Sequence, residues 1–122
     1  MKEFSLAGRR AVVTGGASGI GRAIAEVLAE GGARVTVADR DPARAEATAA
    51  ALDGDVIALD VTDPHAVEAA AARYAEGGAA DILVNNAGIV HNAPSLDVDL
   101  DDWRRVIDVN LHGVFHTSRA FG

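Results

Sequence analysis

With 122 residues the chain is one small domain at most, and its 49% apolar content is enough to form a core. A formal net charge of −7, with no cluster of Lys or Arg and Lys2 as the only lysine, weighs against nucleic acid or an anionic membrane surface as partner. The absence of cysteine removes disulfides, thiolate metal sites and a cysteine nucleophile together; no signal peptide and no membrane-length apolar run is visible, so the expectation is a soluble cytoplasmic protein.

Short apolar runs alternate with helical patterns along the chain. Ala11–Val13 reads as a first buried strand, closed by Thr14-Gly15-Gly16. Ile20, Ile24, Val27 and Leu28 then recur at helical spacing until Gly31-Gly32 stops them. Residues 34–38 form a second strand. Asp41-Pro42 opens the next helix, with the acid as cap and the proline in the first turn, and an alanine-rich segment carries it to about Leu52. Residues 55–59 form a third strand. Asp63-Pro64 repeats the capping device before a helix whose apolar stripe is Val67, Ala70, Ala71 and Tyr74. Residues 81–84 form a fourth strand, and a polar loop from about Gly88 to Asp99 leads to a last helix beginning near Leu100. The order β-α-β-α-β-α-β-α implies a parallel sheet with helices on both faces and right-handed crossovers. The expected fold is therefore α/β, a Rossmann-type doubly wound parallel sheet occupying residues 1–122 as one domain.

The segment Thr14-Gly15-Gly16-Ala17-Ser18-Gly19-Ile20-Gly21 joins the first strand to the first helix. A turn this tight needs residues without a Cβ, and a pyrophosphate resting on the N–H groups of a helix N-terminus needs close backbone approach. A glycine-rich turn alone is also an ordinary tight turn. Its place between a buried strand and an amphipathic helix is the setting a dinucleotide site requires. No Gly-Lys-Ser/Thr follows, so it is not a P-loop. Asp39 ends the second strand 18 residues after Gly21, where a carboxylate hydrogen-bonds the adenosine ribose hydroxyls and repels a 2′-phosphate. This favours NAD over NADP, although the adjacent Arg40 is of the type that accommodates such a phosphate. A solvated loop acid is the alternative for Asp39; Asp41 is the better helix cap.

Three further segments add specificity. Leu59-Asp60-Val61 closes the third strand, Asn85-Asn86-Ala87-Gly88 closes the fourth, and Asn110 lies in the last helix after Trp103 and before Leu111. Together with the glycine loop, these motifs resemble the short-chain dehydrogenase/reductase family across essentially the whole chain. The resemblance implies strand order 3-2-1-4 and an oxidoreductase that transfers hydride between a nicotinamide cofactor and a secondary alcohol or ketone. It implies that Thr14, Gly15, Ser18, Gly19, Ile20 and Gly21 form the pyrophosphate turn. Asp39 would bind the adenosine ribose, and Asp60 and Val61 would flank the adenine. Asn86, Ala87 and Gly88 would line the nicotinamide-side ribose. Asn110 would be the helix-borne catalytic residue that organises a proton-relaying water. A full-length form would be a homo-oligomer.

Helical phase offers a second view of Asn110. Trp103, Val106, Ile107, Leu111, Val114 and Ser118 define an expected inward stripe with position 110 in phase, where an unpaired buried amide would cost about 1–3 kcal/mol. An amide satisfied by neighbouring backbone is the alternative. Among the histidines, His65 is expected to be exposed and His91 lies in a loop on the cofactor side. His112 and His116 have metal-pair spacing but no accompanying acid at motif spacing, so they are read as part of a solvated or subunit-contact face shared with Arg105, Asp108 and Arg119; no metal site is expected.

Family members are longer, and their catalytic Ser and Tyr-xxx-Lys follow a fifth strand. Here the only tyrosine is Tyr74 and the only lysine Lys2, so no Tyr-xxx-Lys pair exists. The expectation is thus the cofactor-binding half of an enzyme, a fragment inactive alone, with its fourth strand as an exposed edge. Competing readings are a non-catalytic dinucleotide-binding module and a methyltransferase-like domain; Asn85 to Gly88 and Asn110 argue against the latter. A polyol, a sugar and a 3-oxoacyl thioester are all compatible substrates.

Overall fold

The computed structural model describes residues 4–122. Four strands, β1 (Arg10–Thr14), β2 (Arg34–Asp39), β3 (Asp55–Ala58) and β4 (Ile82–Asn85), form one parallel sheet in the order β3-β2-β1-β4. Between them run α1 (Gly19–Glu30), α2 (Pro42–Ala51) and α3 (Pro64–Ala75). After β4 come α4 (Leu100–Ile107), a π-helical turn (Asp108–His112) and α5 (Gly113–Phe121), which follow one another without a break. The expected strand order and alternation are therefore present, with strand ends shifted by a residue.

The two faces of the sheet are built by the alternation of side chains along β1. Ala11 and Val13 point to one face, where they meet Val35, Val37, Ala25 of α1 and Ala45 and Ala49 of α2. Val12 points to the other, where it meets Ala38, Val67 and Ala71 of α3, and Val109 and Phe121 of the last helix. β1 is central and buried on both faces, so its core run Ala11-Val12-Val13 is continuously apolar rather than alternating. β4 lies at one edge of the sheet.

Two expected helix faces differ from those observed. In α1, Gly21 and Ala25 are the buried positions; of the expected stripe Ile24 and Leu28 are half-buried, with Leu28 packed on the core, whereas Ile20 and Val27 are exposed. Small residues face the sheet because α1 lies so close to the glycine loop that a Cβ on Gly21 would overlap the Gly15 carbonyl oxygen. In the last helix, Val106 and Ile107 of the expected inward stripe are half-buried, but the rest of it is turned away. Trp103 and Leu111 are 58% and 60% exposed, and the buried positions are Val109, Gly113, Thr117 and Phe121. The cause is again close approach, since a Cβ on Gly113 would stand 2.6 Å from Val61 Cγ2. Phe121 closes this face by packing edge-on against Tyr74 of α3, with ring centroids 5.7 Å apart.

Candidate functional site

All four strands point their carboxyl ends at one side of the sheet, and β1 and β4 part there because the chain leaves them in opposite directions. A cleft of about 440 Å³ opens at this position. Gly15, Ser18, Ile20, Asp39, Asp60, Val61, Asn86, Ala87 and Gly88, all expected site residues, line it. Ala38, Arg40, Leu59, Ile89 and Val109 line it as well. Leu59, Ile89 and Val109 were not singled out from sequence, because an apolar residue beside a motif has no signal that separates wall from core.

Thr14, Gly19, Gly21 and Asn110 are not among the lining residues, but each shapes the cleft. Buried Thr14 accepts hydrogen bonds from Asn86 N–H (3.0 Å) and Ala87 N–H (3.1 Å) and donates from Oγ1 to the Val84 carbonyl (3.3 Å). It therefore ties the end of β1 to the segment leaving β4. Asn86 returns the tie, donating from Nδ2 to the Gly15 carbonyl at 3.0 Å. Gly15 and Gly19 adopt φ of +63° and +57°, which side chains rarely tolerate, and a Cβ on Gly15 would stand 3.0 Å from Ala87 Cα. The loop and the Asn85–Gly88 segment are thus fitted to each other.

The N-terminus of α1 differs from those of the other helices. Asp41, Asp63 and Asp99 cap α2, α3 and α4 through their carboxylates. Ser18, at the cap position of α1, makes no side-chain cap hydrogen bond, and no acid lies in the first turn. The donors and the positive dipole end that an acid neutralises elsewhere are left for an anion at the cleft.

Three side chains at the rim are already engaged. Asp39 accepts from Ala17 N–H (3.2 Å) and Asp41 N–H (3.0 Å). Asp60 accepts from Thr62 N–H (2.9 Å) and Thr62 Oγ1 (2.7 Å); these bonds, aided by the charge of Arg40, hold its carboxyl below the usual range. Asn110 grips one residue with both ends of its amide, accepting from Ile89 N–H and donating to the Ile89 carbonyl, each at 2.8 Å. Asn110 is exposed rather than buried, so the expected inward phase is corrected, and backbone satisfies its amide. It lies in the π-helical turn, closed by Gly113 N–H donating to the Asp108 carbonyl; such one-turn insertions are frequent at functional sites.

The histidines separate. His65 is exposed, and His91 Nε2 lies 3.5 Å from Asp102 Oδ2, joining the loop to the first turn of α4. His112 pairs with Asp108 on the surface at 3.1 Å. His116 does not share that solvated face: it is partly buried, with Nδ1 3.0 Å from the Val61 carbonyl oxygen. The cause is the same α5–Val61 approach that requires Gly113. Tyr74 sits at the opposite end of the sheet from the cleft, its ring 3.9 Å from the Arg10 guanidinium at the start of β1. Burial pushes its hydroxyl above the usual tyrosine range.

Residues 9–122 match the family model described as short chain dehydrogenase. The chain is 49% identical to a galactitol 2-dehydrogenase from Rhizobium johnstonii, over 99% of this chain and 49% of that protein. Among solved structures it resembles a Brucella melitensis 3-ketoacyl-(acyl-carrier-protein) reductase complexed with NADH, with TM-score 0.90 and 38% identity over 94% of this chain and 49% of that one. It also resembles a Beutenbergia cavernae protein with NADP bound at low occupancy, with TM-score 0.91 and 41% identity over 98% and 49%. The chain spans about half the length of the relatives it matches.

Proposed function

This chain belongs to the short-chain dehydrogenase/reductase family, and from that premise we propose that it is the cofactor-binding half of an enzyme interconverting a secondary alcohol and a ketone. The observation that carries the proposal is the uncapped N-terminus of α1 at the cleft, in a fold whose other three interstrand and terminal helices starting after loops are acid-capped. When bound, a nicotinamide ring supplies or accepts the hydride.

The chain's own residues would do the following. Thr14, Gly15, Ser18, Gly19, Ile20 and Gly21 set the backbone that receives the pyrophosphate. Asp39 accepts from the adenosine ribose. Asp60, its carboxylate held by Thr62, would flank the adenine through its backbone, together with the Val61 side chain. Asn86, Ala87 and Gly88 would line the nicotinamide-side ribose. Asn110, which positions Ile89, would order the proton-relaying water.

NAD is the favoured cofactor. A 2′-phosphate brought to about 4 Å from Asp39 would meet repulsion of roughly 4 kcal/mol per pair of unit charges at an effective dielectric of about 20. Proton transfer at the substrate oxygen is not a task Tyr74 can perform from the far end of the sheet, so the 122-residue chain is proposed to bind cofactor without turnover. The exposed Trp103, Leu111 and Phe115 support an assembly role for the outer face of the last helix in the whole protein. Titrating the chain with NADH and NADPH tests the preference: NADH should bind at least about tenfold tighter, which is about 1.4 kcal/mol. Equal affinities would remove it.

A further inference from the structure

Asp39 does more than terminate β2 beside the cleft. Its Oδ2 accepts from Ala17 N–H in the middle of the glycine loop, and its Oδ1 accepts from Asp41 N–H just ahead of α2. The loop has two other ties on the same side. Gly15 N–H donates to the Ala38 carbonyl at 2.8 Å, and buried Thr48 of α2 donates from Oγ1 to the Ala17 carbonyl at 3.3 Å. Of these three ties, only the Asp39 bond comes from a side chain that also lines the cleft.

A loop containing two glycines at positive φ has more conformations to lose than most, so its phosphate-accepting shape needs restraint. A carboxylate has about four acceptor sites. Two of those on Asp39 are taken by the backbone N–H groups, which leaves the remainder for a ligand. Building on the dinucleotide reading above, we propose that Asp39 is a positioning residue for the pyrophosphate loop as well as a reader of the ribose. Removing it then weakens a dinucleotide that has no ribose hydroxyls for it to bind. An asparagine does not substitute, because its NH₂ would face one of the two N–H donors.

The test uses NADH and an analogue lacking both hydroxyls of the adenosine ribose, titrated into the unaltered chain and into Asp39→Ala and Asp39→Asn. Both variants should bind both ligands more weakly, the analogue by about tenfold or more, because charge-assisted hydrogen bonds are the strong ones. If the analogue binds all three chains equally, Asp39 acts on the ribose alone and the inference is overturned. If the unaltered chain does not bind NADH, the cofactor reading itself goes, and the inference with it. A second measurement needs no variant. In the ligand-free chain the amide hydrogens of Ala17 and Asp41, both bonded to Asp39, should exchange with solvent more slowly than unbonded amides of the same loop, and unprotected amides at both positions would also overturn the inference.

Discussion

At the scale of single residues, the site depends on side chains that hold backbone more than on side chains aimed at a ligand. Thr14 is the clearest case. It is 1% exposed, and its hydroxyl serves Asn86 N–H, Ala87 N–H and the Val84 carbonyl at once. Thr14→Val keeps the shape and removes the acceptor, leaving amide groups in a partly buried place without a partner. The expected loss of stability is about 1–3 kcal/mol, read from the denaturant midpoint at unchanged slope. A midpoint within a few tenths of a kcal/mol of the original would contradict the bridging role. Asn110 follows the same pattern, since both ends of its amide are spent on Ile89. Its residue type and position were legible in the sequence. Its environment was not, because helical phase had to be extrapolated through a turn whose extra residue no pattern announces.

At the scale of elements, close approach decides which face of a helix is buried. The capping signals Asp41-Pro42 and Asp63-Pro64 were readable because each acts within a few residues, and both are capped as expected. The inward face of the last helix was assigned by size, and size misled. Its outer face carries exposed Trp103, Leu111 and Phe115 among charged residues, while the face toward Val61 and α3 needs Gly113 and Thr117 to fit. The same confusion affected Ile20 and Gly21 in α1. A Gly113→Ala substitution places a methyl against Val61 and should cost about 1–3 kcal/mol. Adding Val61→Ala should return part of that loss, so the double-mutant cycle gives a coupling above about 0.5 kcal/mol. Additive effects would mean that the two positions do not limit the approach of α5.

At the scale of the whole molecule, the doubly wound sheet was legible because three independent regularities agree: short β-branched runs, helical spacing between them, and glycine or Asp-Pro punctuation at the junctions. The family motifs then located the cleft, since their residues fall at strand ends that the topology brings to one side. The apolar wall of the cleft stayed hidden, because Leu59, Ile89 and Val109 look like any other core residues until the chain is folded. Among the described residues no helix is long and apolar enough to cross a membrane. The central claim is that this half-length chain holds a nicotinamide dinucleotide at the carboxyl ends of its strands, with α1 presenting its uncapped N-terminus to the pyrophosphate. Its most direct test is an NMR titration of the isotope-labelled 122-residue chain with NADH. The account predicts saturable amide shifts at Gly15 to Gly21, Asp39 to Arg40 and Asn86 to Ile89, with the amino ends of the strands around Arg10 and Tyr74 unmoved. Shifts centred elsewhere, or none at all in a folded chain, would contradict it.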